Sequence, residues 1–83
     1  MMYPFMTLND DTEIATSDIQ ADGRIKVCIE KPDNEWGLKS MICYLPEYHI
    51  QSVYHFSEEE IQRYLELLRK NEHVITQLAE EGL

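Results

Sequence analysis

The sequence predicts an α+β fold, with a three- or four-stranded antiparallel β-meander and one long C-terminal helix packed on one face. Two observations predict it. Apolar residues first recur with the period of a strand, and after Phe56 they recur with the period of a helix. Turn signals also separate the apolar segments. The 83 residues form a single domain, 1–83, with residues 1–11 as a candidate flexible N-terminal segment.

Four segments have the composition of strands, namely residues 12–20, 24–31, 37–45 and 48–54. The second is the clearest, because Ile25, Val27 and Ile29 alternate with mostly polar residues. Gly23 suits the left-handed position of a three-residue hairpin loop before it. Pro46 ends the third segment, since proline cannot donate to a ladder. A meander of these segments is therefore expected.

The helix is predicted to begin at a capping box, in which Ser57 caps and Glu60 reaches back, and to end at Gly82. Its apolar positions follow helical spacing: Ile61, Tyr64, Leu65, Leu68, Ile75, Leu78 and Ala79. Such a helix is about 36 Å long, whereas a seven-residue strand spans about 23 Å. Part of such a helix would extend beyond the sheet. Either the helix bends at Asn71, or the part that extends beyond the sheet packs against another copy of the chain.

Strand register predicts which residues stay exposed. A hairpin centred between Glu35 and Trp36, after a three-residue loop at Gly23, directs one set of residues to the helix: Ala15, Ile19, Ile25, Val27, Ile29, Ile42 and Tyr44. The other sheet face then carries an apolar island of Cys28, Met41, Cys43 and Leu45. This island is either exposed to solvent or part of the contact of a homodimer. Leu67 and Val74, which lie beside the main apolar stripe of the helix, are the other candidate residues of that contact.

Sixteen acids and seven bases give a net charge of −9, of which residues 1–23 carry −5 and residues 57–83 carry −4. Binding to nucleic acid or to anionic lipid requires basic residues, so neither is expected. The charge either confers solubility or attracts a basic protein partner. The candidate partner-binding residues are Asp10, Asp11, Glu13, Glu58, Glu59 and Trp36, since exposed tryptophans are frequent anchors. The alternative for Trp36 is to fold over the sheet edge beside Tyr44 or Tyr48.

Catalytic and metal-binding signatures are missing from the sequence. Cys28, Cys43, His49 and His55 lack the spacing of metal ligands, and no phosphate loop, dinucleotide fingerprint or nucleophile elbow occurs. We therefore expect a non-enzyme without a cofactor or metal. The opening residues 1–6 lack the basic region of a signal peptide, which predicts a cytoplasmic protein with reduced thiols.

Residues 6–14, 29–32, 44–48 and 56–61 resemble those of small uncharacterised proteins from Clostridia-type gut bacteria. A helix after a β-meander is also similar to the arrangement in small toxin–antitoxin-associated proteins. Neither resemblance implies an activity. The first functional hypothesis is a non-enzymatic acidic inhibitor that occupies a basic nucleic-acid-binding surface of a partner, as an antitoxin or anti-CRISPR protein does. The alternative is a homodimeric structural or accessory protein without a charge-driven partner.

Overall fold

The structure, a computed structural model, describes residues 1–81. Its elements are β1 (Met2–Thr7), β2 (Glu13–Ser17), β3 (Ile25–Asp33), β4 (Gly37–Leu45), β5 (His49–Tyr54) and α1 (Glu58–Glu80). The five strands form one antiparallel sheet in chain order. Helix α1 packs on one face of the sheet. The predicted α+β meander with a C-terminal helix is confirmed, and it has five strands instead of three or four.

The additional strand, β1, lies within residues 1–11, which were expected to be a flexible segment. It pairs with β2 along the sheet edge, where Pro4 is tolerated because an edge strand has a free hydrogen-bonding side. A bulge between Pro4 and Met6 lets the consecutive residues Phe5 and Met6 both pack against the core. The hydrophobic pattern of β1 is therefore not the simple alternation that identifies a strand.

The hairpin of β3 and β4 differs from the predicted register by one residue. Asp33 pairs with Gly37, so the loop is the three residues 34–36. The Asp33 carboxylate accepts hydrogen bonds from the backbone N–H groups of Glu35 and Trp36, at 3.0 and 2.9 Å. Gly37 closes the turn with φ of +82°, a conformation that glycine adopts without steric cost. These two residues place the hairpin centre at Glu35 and not between Glu35 and Trp36.

This shift reverses the two faces of β4. Met41, Cys43 and Leu45 are at most 1% exposed and belong to the core beneath α1, whereas Ile42 and Tyr44 lie on the opposite face. The prediction of Met41, Cys43 and Leu45 as an exposed dimer contact is therefore wrong.

The hairpin of β2 and β3 is also shifted by one residue, so that Ile14 pairs with Ile29 and Thr16 with Val27. Ile14 is buried in place of the expected Ala15, and Ile19 lies beyond the ladder and is 43% exposed. The ladder ends because the Ser17 hydroxyl accepts a hydrogen bond from the Lys26 backbone N–H. The connection is consequently wider than the expected three-residue loop.

Strand β5 confirms the predicted fourth strand and contains a second bulge. Cys43 pairs with Ile50 and Met41 with Val53, which leaves one extra residue on β5. Both Ile50 and Val53 consequently pack against the core, although they are three positions apart in a strand.

Helix α1 begins as predicted. The Glu60 N–H donates to the Ser57 hydroxyl, and the Ser57 N–H donates to the Glu60 carboxylate. The buried helical residues are Tyr64, Leu65, Leu68, Ile75 and Ala79. They pack on the sheet residues Ile14, Ile25, Val27, Ile29, Met41, Cys43 and Leu45, with Phe56 beside them. The predicted end at Gly82 lies outside the described residues.

No second helix begins at Asn71. Its side-chain amide donates to the Leu67 carbonyl at 2.8 Å, inside one helix of 23 residues. Strands β3 and β4 have nine residues each and span about 30 Å, close to the roughly 35 Å of α1, so little of the helix overhangs. Leu67 packs partly against the core, and Val74 remains 36% exposed. Of the two predicted helix contacts, Val74 is therefore exposed and Leu67 is partly covered by the core.

Candidate functional site

The structure brings the six predicted partner-binding residues to one end of the molecule, where α1 begins. Two lysines join the segments that carry them. Lys31 Nζ lies 3.3 Å from an Asp10 carboxylate oxygen and 3.8 Å from one of Glu60. Lys39 Nζ lies 3.3 Å from Glu60 and 3.8 Å from Asp33. The loop before β2, the turn after β3 and the start of α1 are thereby held together.

We call this region the acidic end. Its residues are Asp10, Asp11, Glu13, Glu30, Asp33, Glu35, Glu58, Glu59 and Glu60, with Lys31 and Lys39 between them. Nine acids and two lysines give −7, out of −9 for the whole chain. Six of these nine acids come from the two acidic flanks of the sequence and three from its neutral middle, and the fold brings them to one surface.

The lysines lie beneath the acids. Lys31 and Lys39 are cross-strand neighbours on the α1 side of the sheet, and their side chains are 25% and 18% exposed. Like charges in this arrangement repel, and the Glu60 carboxylate that contacts both offsets the repulsion. The network holds the Asp10, Asp33 and Glu60 carboxylates in place, and six further acids of the acidic end have no lysine partner among the described residues.

Three carboxylates of the network are stabilised in their ionised form. The Thr12 hydroxyl, which donates to Asp10 at 2.6 Å, is the main cause of the lowered pKa of Asp10. The Trp36 backbone N–H lowers the pKa of Asp33, and the Ser57 backbone N–H lowers the pKa of Glu60. These groups therefore stay charged well below neutral pH.

On the sheet face that points away from α1, the acidic end carries negative charge that no base neutralises among the described residues. Glu13 lies directly opposite Glu30, and neither is in an ion pair within residues 1–81. Together with Asp11 they line a shallow recess that also includes Thr7, Pro32 and Leu38. Carboxylates facing each other across strands destabilise a sheet. The recess therefore carries charge that the fold itself does not require.

Trp36 is 55% exposed at the same end. Its indole stacks on the His55 imidazole, with ring centroids 4.1 Å apart and planes inclined by 5°. This contact replaces the expected one with Tyr44 or Tyr48. His55 lies two residues before the helix cap at Ser57, so the stack places the indole next to the start of α1.

Glu30, Asp33, Glu35 and Glu60 belong to the acidic end, although sequence reasoning did not select them as partner-binding residues. The sequence indicates a strand position for Glu30 and a cap for Glu60. Glu30 lies beside Glu13 because β2 pairs with β3, and Glu60 joins the network through its contact with Lys39. The remaining signal in the sequence was the acidic loop at residues 33–35.

The two thiols lie on opposite sides of the sheet and are both free. Burial raises the pKa of both, to about 11 for Cys43, so both are protonated at neutral pH. In the part of the chain that the structure describes, no three His, Cys, Asp or Glu side chains are grouped as metal ligands would be. Over the same residues, no helix has the length and apolar character needed to cross a bilayer.

Comparisons of the chain with protein families, with curated proteins and with solved structures give no match. We therefore infer function from the geometry of the acidic end and of the sheet.

Proposed function

We propose that the protein is a non-enzymatic inhibitor that acts by binding. Its acidic end occupies a basic, nucleic-acid-binding surface of a partner protein, in the manner of antitoxins and anti-CRISPR proteins. The concentration of −7 at one end of an 83-residue chain is the observation that carries this proposal. A surface charged in this way attracts a basic groove and competes with the phosphates that the groove would otherwise bind.

Six of the nine carboxylates of the acidic end are held on strands or on α1. Glu13 and Glu30 lie on strands, and Glu58 and Glu59 lie in the first turn of α1. A partner that binds them therefore need not order a flexible loop, which reduces the entropic cost of association.

Trp36 supplies an apolar anchor beside these charges. One face of its indole is covered by His55, and more than half of the side chain is exposed. An arginine of a basic surface can stack on such a ring while it pairs with a nearby carboxylate. The protein acts in the cytoplasm, where the free thiols Cys28 and Cys43 stay reduced.

The test compares two variants of equal net charge. In the first, four exposed acids of the acidic end are neutralised: Asp11→Asn, Glu35→Gln, Glu58→Gln and Glu59→Gln. In the matched control, four acids outside the acidic end are neutralised: Asp18→Asn, Glu47→Gln, Glu66→Gln and Glu80→Gln. Each variant carries −5, so a difference between them reports the position of the charge and not its amount.

Wild type and both variants are immobilised at low salt, and basic proteins of the native host are captured from nuclease-treated extract. We expect wild type and the control to retain the partner, the acidic-end variant to lose it, and retention to fall steeply as salt is raised. The recovered partner is then loaded with nucleic acid, which the wild-type protein should displace. Equal capture by both variants, or a partner that keeps its nucleic acid, would refute the proposal.

A further inference from the structure

The sheet face opposite α1 has no covering layer within residues 1–81. A central row of cross-strand neighbours crosses all five strands of this face: Pro4, Ala15, Cys28, Ile42 and Ser52. Its middle members are apolar and only partly buried. We call this surface the open face.

Charges of opposite sign lie on the two sides of the central row. On β3, the successive outward residues are Lys26, Cys28 and Glu30. Neither Lys26 nor Glu30 is in an ion pair in the described part of the chain. The Arg24 guanidinium lies 4.3 Å from the centre of the Tyr44 ring and pairs with Asp22 at 2.9 Å, so Lys26 supplies the unpaired positive charge on this side. Glu13 extends the acidic side, since it pairs with Glu30. The open face is therefore basic, then apolar, then acidic along the strands.

We infer that the open face binds a second copy of the chain across a two-fold axis that runs along the central row. This rotation reverses the strand direction. It places Lys26 over Glu30 of the partner subunit and Glu30 over Lys26 of the partner subunit, while the apolar rows meet on the axis. A two-fold axis parallel to the strands would instead place Lys26 over Lys26 of the partner subunit and Glu30 over Glu30 of the partner subunit. Charge therefore favours the axis along the central row.

The area of the open face suits such a dimer. The five strands hold 6, 5, 9, 9 and 6 residues and lie about 4.8 Å apart, so at about 3.3 Å per residue the open face covers about 550 Å² per copy. A dimer buries about 1,100 Å² in total, which exceeds the roughly 1,000 Å² expected of a specific interface. The axis also places the two acidic ends at opposite ends of the assembly. The two acidic ends therefore remain far apart. Glu13 and Glu30 face the partner subunit, whereas the acids at the start of α1, Glu58 and Glu59, remain free to bind a basic partner.

Two variants with the same added charge test the surface. Ile42→Glu introduces a carboxylate at the centre of the open face, and Val74→Glu introduces one on the exposed side of α1. Sedimentation of the wild type should give twice the chain mass, Ile42→Glu should give a monomer with an unchanged circular dichroism spectrum, and Val74→Glu should stay dimeric. A wild type that remains monomeric at every concentration, or a dimer that only Val74→Glu dissociates, overturns the inference.

The Cys28 thiol gives a second readout on the wild-type chain. Because Cys28 lies on the axis and Cys43 is fully buried, the rate of maleimide labelling of native protein reports Cys28 alone. Labelling should slow as protein concentration rises, and Ile42→Glu should remove this dependence. A labelling rate that is independent of wild-type concentration contradicts the inference.

Charge exchange tests the direction of the axis. In the inferred arrangement, Lys26→Glu creates two carboxylate–carboxylate contacts in each dimer. We expect the dissociation constant of the dimer to rise about tenfold. Adding Glu30→Lys to the same chain restores the opposite charges and should restore the dimer. An axis along the strands predicts no weakening for Lys26→Glu, because a repulsive pair of lysines would only be replaced by a repulsive pair of glutamates.

Discussion

Ser57 and Glu60 satisfy each other's backbone N–H groups, and Glu60 also contacts both lysines of the acidic end. Replacing Ser57 by Ala removes one acceptor at the start of α1. We expect a loss of about 1 kcal/mol in the free energy of unfolding, and a melting temperature lower by about 4–8 °C. Ser52→Ala, at a serine without a side-chain hydrogen bond among the described residues, serves as the control. Equal melting curves for the two variants would show that the cap contributes nothing.

The carboxylates of Glu13 and Glu30 lie directly opposite each other on neighbouring strands, and their repulsion lowers the stability of the fold. We expect Glu13→Gln to raise the free energy of unfolding by about 0.2–1 kcal/mol at low salt, because like charges directly opposite each other destabilise a sheet. Urea titrations with and without 1 M salt measure this gain, which should shrink when salt screens the repulsion. A loss of stability at low salt would indicate that Glu13 has a favourable contact in the folded protein.

At the scale of elements, the register of β3 and β4 determines which thiol is accessible. Cys43 is fully buried under α1 and Cys28 lies on the open face. In dilute native protein we expect a maleimide to modify one thiol per chain, and two after unfolding in urea. Mass spectrometry of digested protein identifies the modified cysteine, and Cys28→Ser should leave the native chain unmodified. Labelling of both thiols in the native protein would support the alternative register, in which Cys43 is exposed.

At the scale of the whole molecule, the ion network makes stability depend on pH. The folded-state pKa values of Asp10, Asp33 and Glu60 are lowered, so these groups bind protons less readily when folded than when unfolded. Their contribution is complete above the ordinary carboxyl range of about pH 4–5, and it is lost as pH falls through the lowered values. The urea concentration at the unfolding midpoint should therefore decrease as the pH is lowered from 5 to 3.

A variant without these groups provides the comparison for the pH experiment. Asp10→Asn combined with Asp33→Asn removes two of the three carboxylates with lowered pKa values, and it should be less stable than wild type at pH 7. Its midpoint should also change less between pH 5 and pH 3. If wild type and variant lose the same stability on acidification, the pH dependence comes from other carboxylates.

Local patterns in the sequence determined the start of α1, its buried face and the positions of four strands. Ser57 with Glu60, followed by apolar residues at helical spacing, identifies the helix start, and the same spacing identifies the buried face from Tyr64 to Ala79. These features depend on residues at most a few turns apart, and for that reason they could be predicted. Strand β1 could not, because the bulge at Phe5 disrupts its alternation.

The register of the sheet and the composition of its two surfaces follow from long-range contacts. Residues 41–45 are apolar at both parities, so alternation could not choose between Met41 and Ile42 as the buried side. The turn made the choice, through the Asp33 carboxylate and the positive φ of Gly37. The six residues predicted to bind a partner lie at one end of the molecule, and their proximity arises from strand pairing and from two lysines that join distant segments. Local sequence patterns specify the helix, four of the strands and the charged residues, and long-range strand pairing specifies which of these lie side by side, because it depends on contacts between residues far apart in the chain.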